Sequence, residues 1–305
     1  MAMKHHFFNI LFIILLLPYP ARAAEGLAPV NFKGIYEFSF AGLPFGRMGV
    51  EIGQSQGHYA ITTDVTLTGL IRLFVQHTSH TTVEAEGGNI HYEAHYQTRK
   101  KKHYIRLDYK GGLLKDEEQI PPETHAKRPE VPMEMKKNAA DPLSAILKMR
   151  QGLWGEMKNL AAQNEKCSPT LPPPQAGEVI ATTPPACGGR KRGEPNADSA
   201  FSINIYDGNR LTGASFTILG KTTVRYGDKS LPVIKVAVRR KLLAGFTDSE
   251  LADYDAKEPP LTLYFSDDDR LLPIKAETTF LLSPLRATLA KECRTEESCL
   301  LGLRE

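Results

Sequence analysis

The chain has 305 residues, of which 41% are hydrophobic, enough for a sizeable core in one large β domain or two small ones. Its 38 Lys plus Arg against 35 Asp plus Glu give a formal net charge of +3. So near-neutral a surface argues against nucleic acid as the main partner, because phosphate binding draws on a strong basic excess.

The N-terminus has three parts. Lys4, His5 and His6 precede the apolar run Phe7 to Leu17, which is followed by Pro18, Pro20 and then Ala21-Arg22-Ala23. This is the layout of an export signal cleaved after Ala23. A membrane-spanning helix would need roughly 20 apolar residues, and this run ends well short of that before two prolines. Losing Lys4 and Arg22 with residues 1–23 brings the net charge to about +1. No cysteine stands directly after the cleavage site and no later segment is long and apolar enough to span a bilayer, so the mature protein is expected in the periplasm, neither lipid-anchored nor membrane-spanning.

Residues 24–140 read as a first antiparallel β segment. Tyr36, Phe38 and Phe40 share one face; Met48, Val50 and Ile52 repeat the period of two, as do Tyr59, Ile61, Thr63, Val65 and Leu67. Gly42-Leu43-Pro44, Gln56-Gly57, Gly87-Gly88 and Gly111-Gly112 are turns, and short connections between consecutive strands predict a meander. Leu70 to Val75 loses the alternation and fits either a short helix or a buried strand. Residues 120–140, rich in Pro and charge, read as an exposed connection.

A helix is expected over 141–160, with Asp141 as N-cap, Pro142 in its first position, and Leu143, Ile146, Leu147, Leu153, Trp154 and Met157 in one stripe. The Pro- and Gly-rich stretch 161–199 reads as a loop. Residues 200–305 form a second β segment, packing with the first as one domain. Its strands centre on Phe201 to Ile205, Ser215 to Leu219, Ile234 to Val238, Leu261 to Phe265 and Ile274 to Phe280, and Asp267-Asp268-Asp269 is a hairpin turn.

Four cysteines in an exported chain read as two disulfides, with three pairings possible. Cys167–Cys187 and Cys293–Cys299 are favoured because each pair is close in sequence; neither has the spacing of a zinc knuckle. The sequence lacks the zincin, Walker and dinucleotide-binding patterns. No catalytic residue, metal site or cofactor is therefore assigned. His91 and His95 would share a strand face, a pairing more common for surface histidines than for metal ligands. The apolar face of the first sheet, with Tyr36, Phe38, Phe40, Met48, Val50, Tyr59, Ile61 and Val65, and Trp154 on the helix, is either ordinary core or the lining of a cavity for lipid-like ligands.

Several stretches carry a resemblance: Tyr36-Glu37-Phe38 with Gly42 and Gly46, Tyr59 to Thr68 leading into Gly69-Leu70, Asp141-Pro142-Leu143-Ser144-Ala145, Tyr206-Asp207-Gly208-Asn209-Arg210, and Leu272-Pro273-Ile274-Lys275. Over residues 34–290 the chain resembles the exported proteobacterial domain-of-unknown-function family 3108, departing from it in the expanded loop Lys158 to Ser199 and the Cys-containing tail. The resemblance implies a periplasmic location and no established activity, and its strand pattern is similar to the open half-barrel of periplasmic lipoprotein carriers. The expectation is a mainly β, half-barrel-like curved sheet with one packed helix. It would act as a non-catalytic envelope protein binding an apolar molecule or a lipidated partner. The alternative is a scaffold or assembly factor that binds envelope proteins through edge strands and the Pro-rich loop; an enzyme comes third.

Overall fold

The computed structural model describes residues 29–69, 77–98, 101–121, 128–166, 200–252, 254, 260–280, 282–294 and 297–301. Two antiparallel meanders form a single 13-stranded sheet. The first runs outward through β1 (Phe32–Phe40), β2 (Leu43–Ser55), β3 (His58–Leu67), β4 (His77–Glu86), β5 (Asn89–Thr98), β6 (Lys102–Lys110) and β7 (Leu113–Ile120). The second returns from the opposite end through β8 (Ala200–Tyr206), β9 (Leu211–Tyr226), β10 (Lys229–Ala244), β11 (Leu261–Ser266), β12 (Pro273–Phe280) and β13 (Ser283–Glu292). Strand order is β7-β6-β5-β4-β3-β2-β1-β13-β12-β11-β10-β9-β8, so the two meanders join where β1 pairs with β13. Period-two burial along β1, with Phe32, Tyr36 and Phe38 inward, shows why these segments are strands: each has one apolar face to bury.

The sheet curls without closing into a barrel, and its two ends meet at a seam. The segment after β7 contains the short helix α1 (Met133–Lys136), and Ala140 then makes a parallel bridge to Ile205 of β8. The β8–β9 turn comes so near β6 that a Cβ on Gly208 would lie 2.8 Å from Ile105 Cγ2. Most of residues 128–140 are exposed, as their charge suggests, but the segment is anchored at four points. Val131, Lys136, Ala139 and Ala140 are buried, because this segment fills the gap between the two sheet ends.

Helix α2 (Ser144–Lys166) leaves the seam and enters the curl. It runs six residues beyond the expected end at 160, and Gly152 lets β8 approach it closely, since a Cβ there would lie 2.6 Å from the Phe201 ring. Leu143, Ala145, Leu147, Met149 and Leu153 are all at most 2% exposed, so the first half of α2 is buried around its circumference and fills the interior. Cys293–Cys299 is bonded as expected; Cys167 and Cys187, like Leu70 to Val75, lie outside the described residues.

Candidate functional site

A cavity of about 60 Å³ remains between α2 and the wall where the two meanders join. Tyr36, Met48 and Val50 line it from β1 and β2, Ile146 and Met149 from the helix, and Ala276 and Ala287 from β12 and β13. Ala276 and Ala287 are direct cross-strand partners, and Leu263 stands opposite Ala276 on β11. Two adjacent alanines facing a helix leave the space that larger residues would fill. Tyr36 roofs the cavity by donating its hydroxyl to the Pro273 carbonyl at 2.6 Å, and burial raises its pKa far above the usual phenol range. The lining is almost wholly apolar, and two methionines give it adaptable walls.

The expected lining residues divide into four groups. Tyr36, Met48 and Val50 meet at this cavity. Phe38, Ile61 and Val65 are fully buried, and Phe38 stacks on Phe45 with ring centroids 5.9 Å apart. Phe40 lies at the sheet's end, edge-on to Phe280, and Trp154 is half-buried on α2 under Lys158. Tyr59 serves the helix start instead: Ser144 donates to Asp141, leaving Tyr59 as donor to Ser144 Oγ at 2.8 Å. The helix and the second meander supply more than half of the lining. Ala276 was in phase in the sequence, but nothing there placed its strand next to β13 and β1.

The histidines hold other posts. His91 Nδ1 meets Asp108 at 2.6 Å and Nε2 meets Glu93 at 3.2 Å; against the downward pull of partial burial, these carboxylates raise its pKa. His95 packs on the Tyr104 ring at 4.8 Å. Among the described residues no group of three or more His, Cys, Asp or Glu is arranged to hold a metal ion, and no helix is long and apolar enough to cross a membrane.

No protein-family model and no curated protein matches the chain. Among solved structures it is similar to a β-barrel-like protein of domain of unknown function DUF1849 from Brucella abortus, with 13% identity, 88% of this chain and 99% of that one covered, and a TM-score of 0.46. It is also similar to a protein assigned as exported, with a YmcC-like fold, from Bacteroides fragilis, at 9% identity and TM-score 0.33, covering 92% and 99%. A third similarity is to a protein assigned as a lipoprotein from Parabacteroides distasonis, at 8% identity and TM-score 0.32, covering 91% and 97%.

The seam is as polar as the cavity is apolar. Lys136, 2% exposed, pairs with Glu117 of β7 at 2.5 Å and lies 4.9 Å above the Tyr206 ring of β8, while Tyr206 donates to Glu117 at 2.9 Å. Asp141 caps α2 by accepting from the backbone N–H of Leu143 and Ser144, and its burial raises its pKa against those hydrogen bonds. Arg128 and Arg210 converge on Glu250 of α3 (Asp248–Ala252) at 2.8 and 2.6 Å. Burial alone would raise the Glu250 pKa, but these arginines and the Thr247 N–H bring it down to about 2. Directional bonds thus do at the seam what ladder hydrogen bonds do elsewhere in the sheet.

From outside, the C-terminal segment straps the cavity wall. Glu51 of β2 accepts from Ser298 Oγ and Cys299 N at 2.8 and 2.9 Å, and buried Asp64 of β3 accepts from Leu301 N at 2.9 Å. Gly49 makes this approach possible, since a Cβ there would lie 2.2 Å from the Cys299 carbonyl oxygen.

Proposed function

We propose that this is an exported, non-catalytic envelope protein that takes a single alkyl or acyl chain into the cavity between α2 and the β1–β2 and β12–β13 wall. The observation that carries this reading is the apolar cavity itself, left against a helix whose first half is buried. At about 60 Å³ it falls below the roughly 300–1,000 Å³ of pockets that enclose a whole ligand. The chain therefore enters tail first, and Met48 and Met149 move aside to admit it. Export is supported by the three-part N-terminus and by the Cys293–Cys299 bond, which suits an oxidising compartment. Membership in family 3108 belongs to the same reading. The stretches around Tyr59, Asp141 to Ser144 and Tyr206 that carry the resemblance meet where α2 begins, through Tyr59–Ser144 and the Tyr206 N–H to Ala140.

The test is Ala287→Leu, which fills the cavity from β13. A fluorescent acyl probe should bind the wild type, and the variant should bind at least tenfold more weakly while its stability stays within about 1 kcal/mol. A wild type that binds no acyl probe, and shows no lipid in native mass spectrometry, would remove the basis of the reading.

A second reading is an assembly factor that binds envelope proteins at the β7 end. Ile120, Met133 and Met135 are 52%, 53% and 38% exposed beside that terminal strand, which among the described residues pairs as a ladder only with β6. Cross-linking from a residue placed at Met133 would then join the protein to an envelope partner rather than to lipid.

A further inference from the structure

Leu43 and Leu282 are the most exposed large apolar side chains among the described residues, at 70% and 98%. They sit on neighbouring turns at one end of the sheet. Leu43 opens β2 just after the Ala41–Gly42 turn, and Leu282 forms part of the turn between β12 and β13. The two turns are tied together: Ala41 N donates to the Pro284 carbonyl at 3.0 Å, and at their base Phe40 meets Phe280 edge-on at 6.1 Å. Leu282 and Ala41 also hold left-handed backbone conformations, with φ of 63° and 50°. Glycine or asparagine fits such a position at less cost. A single exposed leucine needs no explanation. Here the residue neither eases its turn nor reaches the core, and a second leucine stands beside it.

Basic side chains rim these turns on the outer face. One row of paired residues crosses the sheet just below them: Ala237, Thr262, Glu277, Arg286, Ser39 and Pro44. Arg286 stands in this row, and Arg47 stands beside it, opposite Glu37. Arg239 and Lys241, exposed and two and four residues beyond Ala237, reach the level of the turns. The carboxylates of this face, Glu37 and Glu277, are held by Arg47, Arg286 and Lys275, and with Asp248 of α3 at the same end they are outnumbered by Arg47, Arg239, Lys241, Lys275 and Arg286, so the balance of these described groups is positive. An apolar tip ringed by long cationic side chains matches a phospholipid surface, with acyl chains below and phosphates at the level of the ring.

We infer that this end of the sheet docks on an anionic phospholipid surface. Leu43 and Leu282 enter the acyl layer, while Arg47, Arg239, Lys241 and Arg286 meet the headgroup phosphates. The apolar tip selects a bilayer over free phosphate. This surface is separate from the cavity, and the inference stands independently of whether the cavity takes a chain.

The experiment is flotation of the mature protein with vesicles of phosphatidylglycerol and phosphatidylethanolamine, and with vesicles of phosphatidylcholine alone. The wild type should float with the anionic vesicles, and less so as salt rises. The double variant Leu43→Ser/Leu282→Asn should bind them at least tenfold more weakly with an unchanged or higher thermal midpoint, since asparagine tolerates the left-handed turn. Arg239→Gln/Lys241→Gln should reduce binding to the anionic vesicles and leave any binding to phosphatidylcholine untouched. A wild type that does not float with anionic vesicles, or a leucine variant that floats as well as the wild type, overturns the inference. So does a wild-type dimer that the leucine variant dissociates without any vesicle binding, which would assign the tip to a second copy of this chain.

Discussion

The seam and the wall opposite it hold the same curled sheet by different means. At the seam, Lys136–Glu117, Tyr206–Glu117, the Asp141 cap and the Arg128–Glu250–Arg210 cluster each fix one geometry, and few alternatives satisfy buried charges. At the wall, β1 and β13 pair by the backbone ladder, with the C-terminal strap on the outside, and the inward side chains Met48 of β2, Ala276 of β12 and Ala287 of β13 leave space. The contrast teaches where the protein can give. Closure is specified by polar contacts, and room for a ligand is kept where contacts are apolar and non-directional.

The contrast predicts unequal mutational costs. Glu117→Ala leaves the buried Lys136 ammonium without its partner and should cost about 3 kcal/mol. Met48→Ala, which only widens an existing void, should cost about 2 kcal/mol or less. Urea denaturation measures both, and a larger loss for Met48→Ala would break the comparison.

Acid should weaken the fold in two steps, the lower of which involves the seam. Burial holds the folded His77 down to about 4 against 6.5 in the unfolded chain, so the unfolded state takes the proton first and stability falls as pH drops from 6.5 to 4. Glu250, at about 2 when folded against 4.5 unfolded, contributes stability that is present above pH 4.5 and is lost as pH falls toward 2. Glu250→Gln should shrink the second step, which Glu51 and Glu277 share through their own lowered pKa values, and leave the first; thermal midpoints across pH 7 to 2 would show both. If that substitution also removed the first step, the assignment of the two windows would be wrong.

Much of this was legible in the sequence. Alternation at Tyr36, Phe38, Met48, Val50, Tyr59 and Ile61, with turn residues between, gives the first meander, and Asp141-Pro142 marks the helix start. The seam was not legible. Lys136 in a charged, Pro-flanked stretch reads as a solvated residue, and its burial depends on Glu117 and Tyr206 arriving from opposite ends of the sheet. The cavity was half legible for a related reason. No turn joins β1 to β13, so nothing local places Ala287 beside Phe38 or brings Ala276 into the row with them. Exposure at Leu282 follows from a left-handed turn residue that no periodicity reveals.

The central claim is that the wall yields while the seam stays fixed, and hydrogen exchange of the intact mature protein with and without a bound acyl probe tests it most directly. The account predicts faster exchange without probe in α2 and in the β1, β2, β12 and β13 strands around the cavity than at the seam, with probe-induced protection confined to that wall. Protection centred on β7, α1 and β8, or exchange at the seam faster than at the wall, would contradict it.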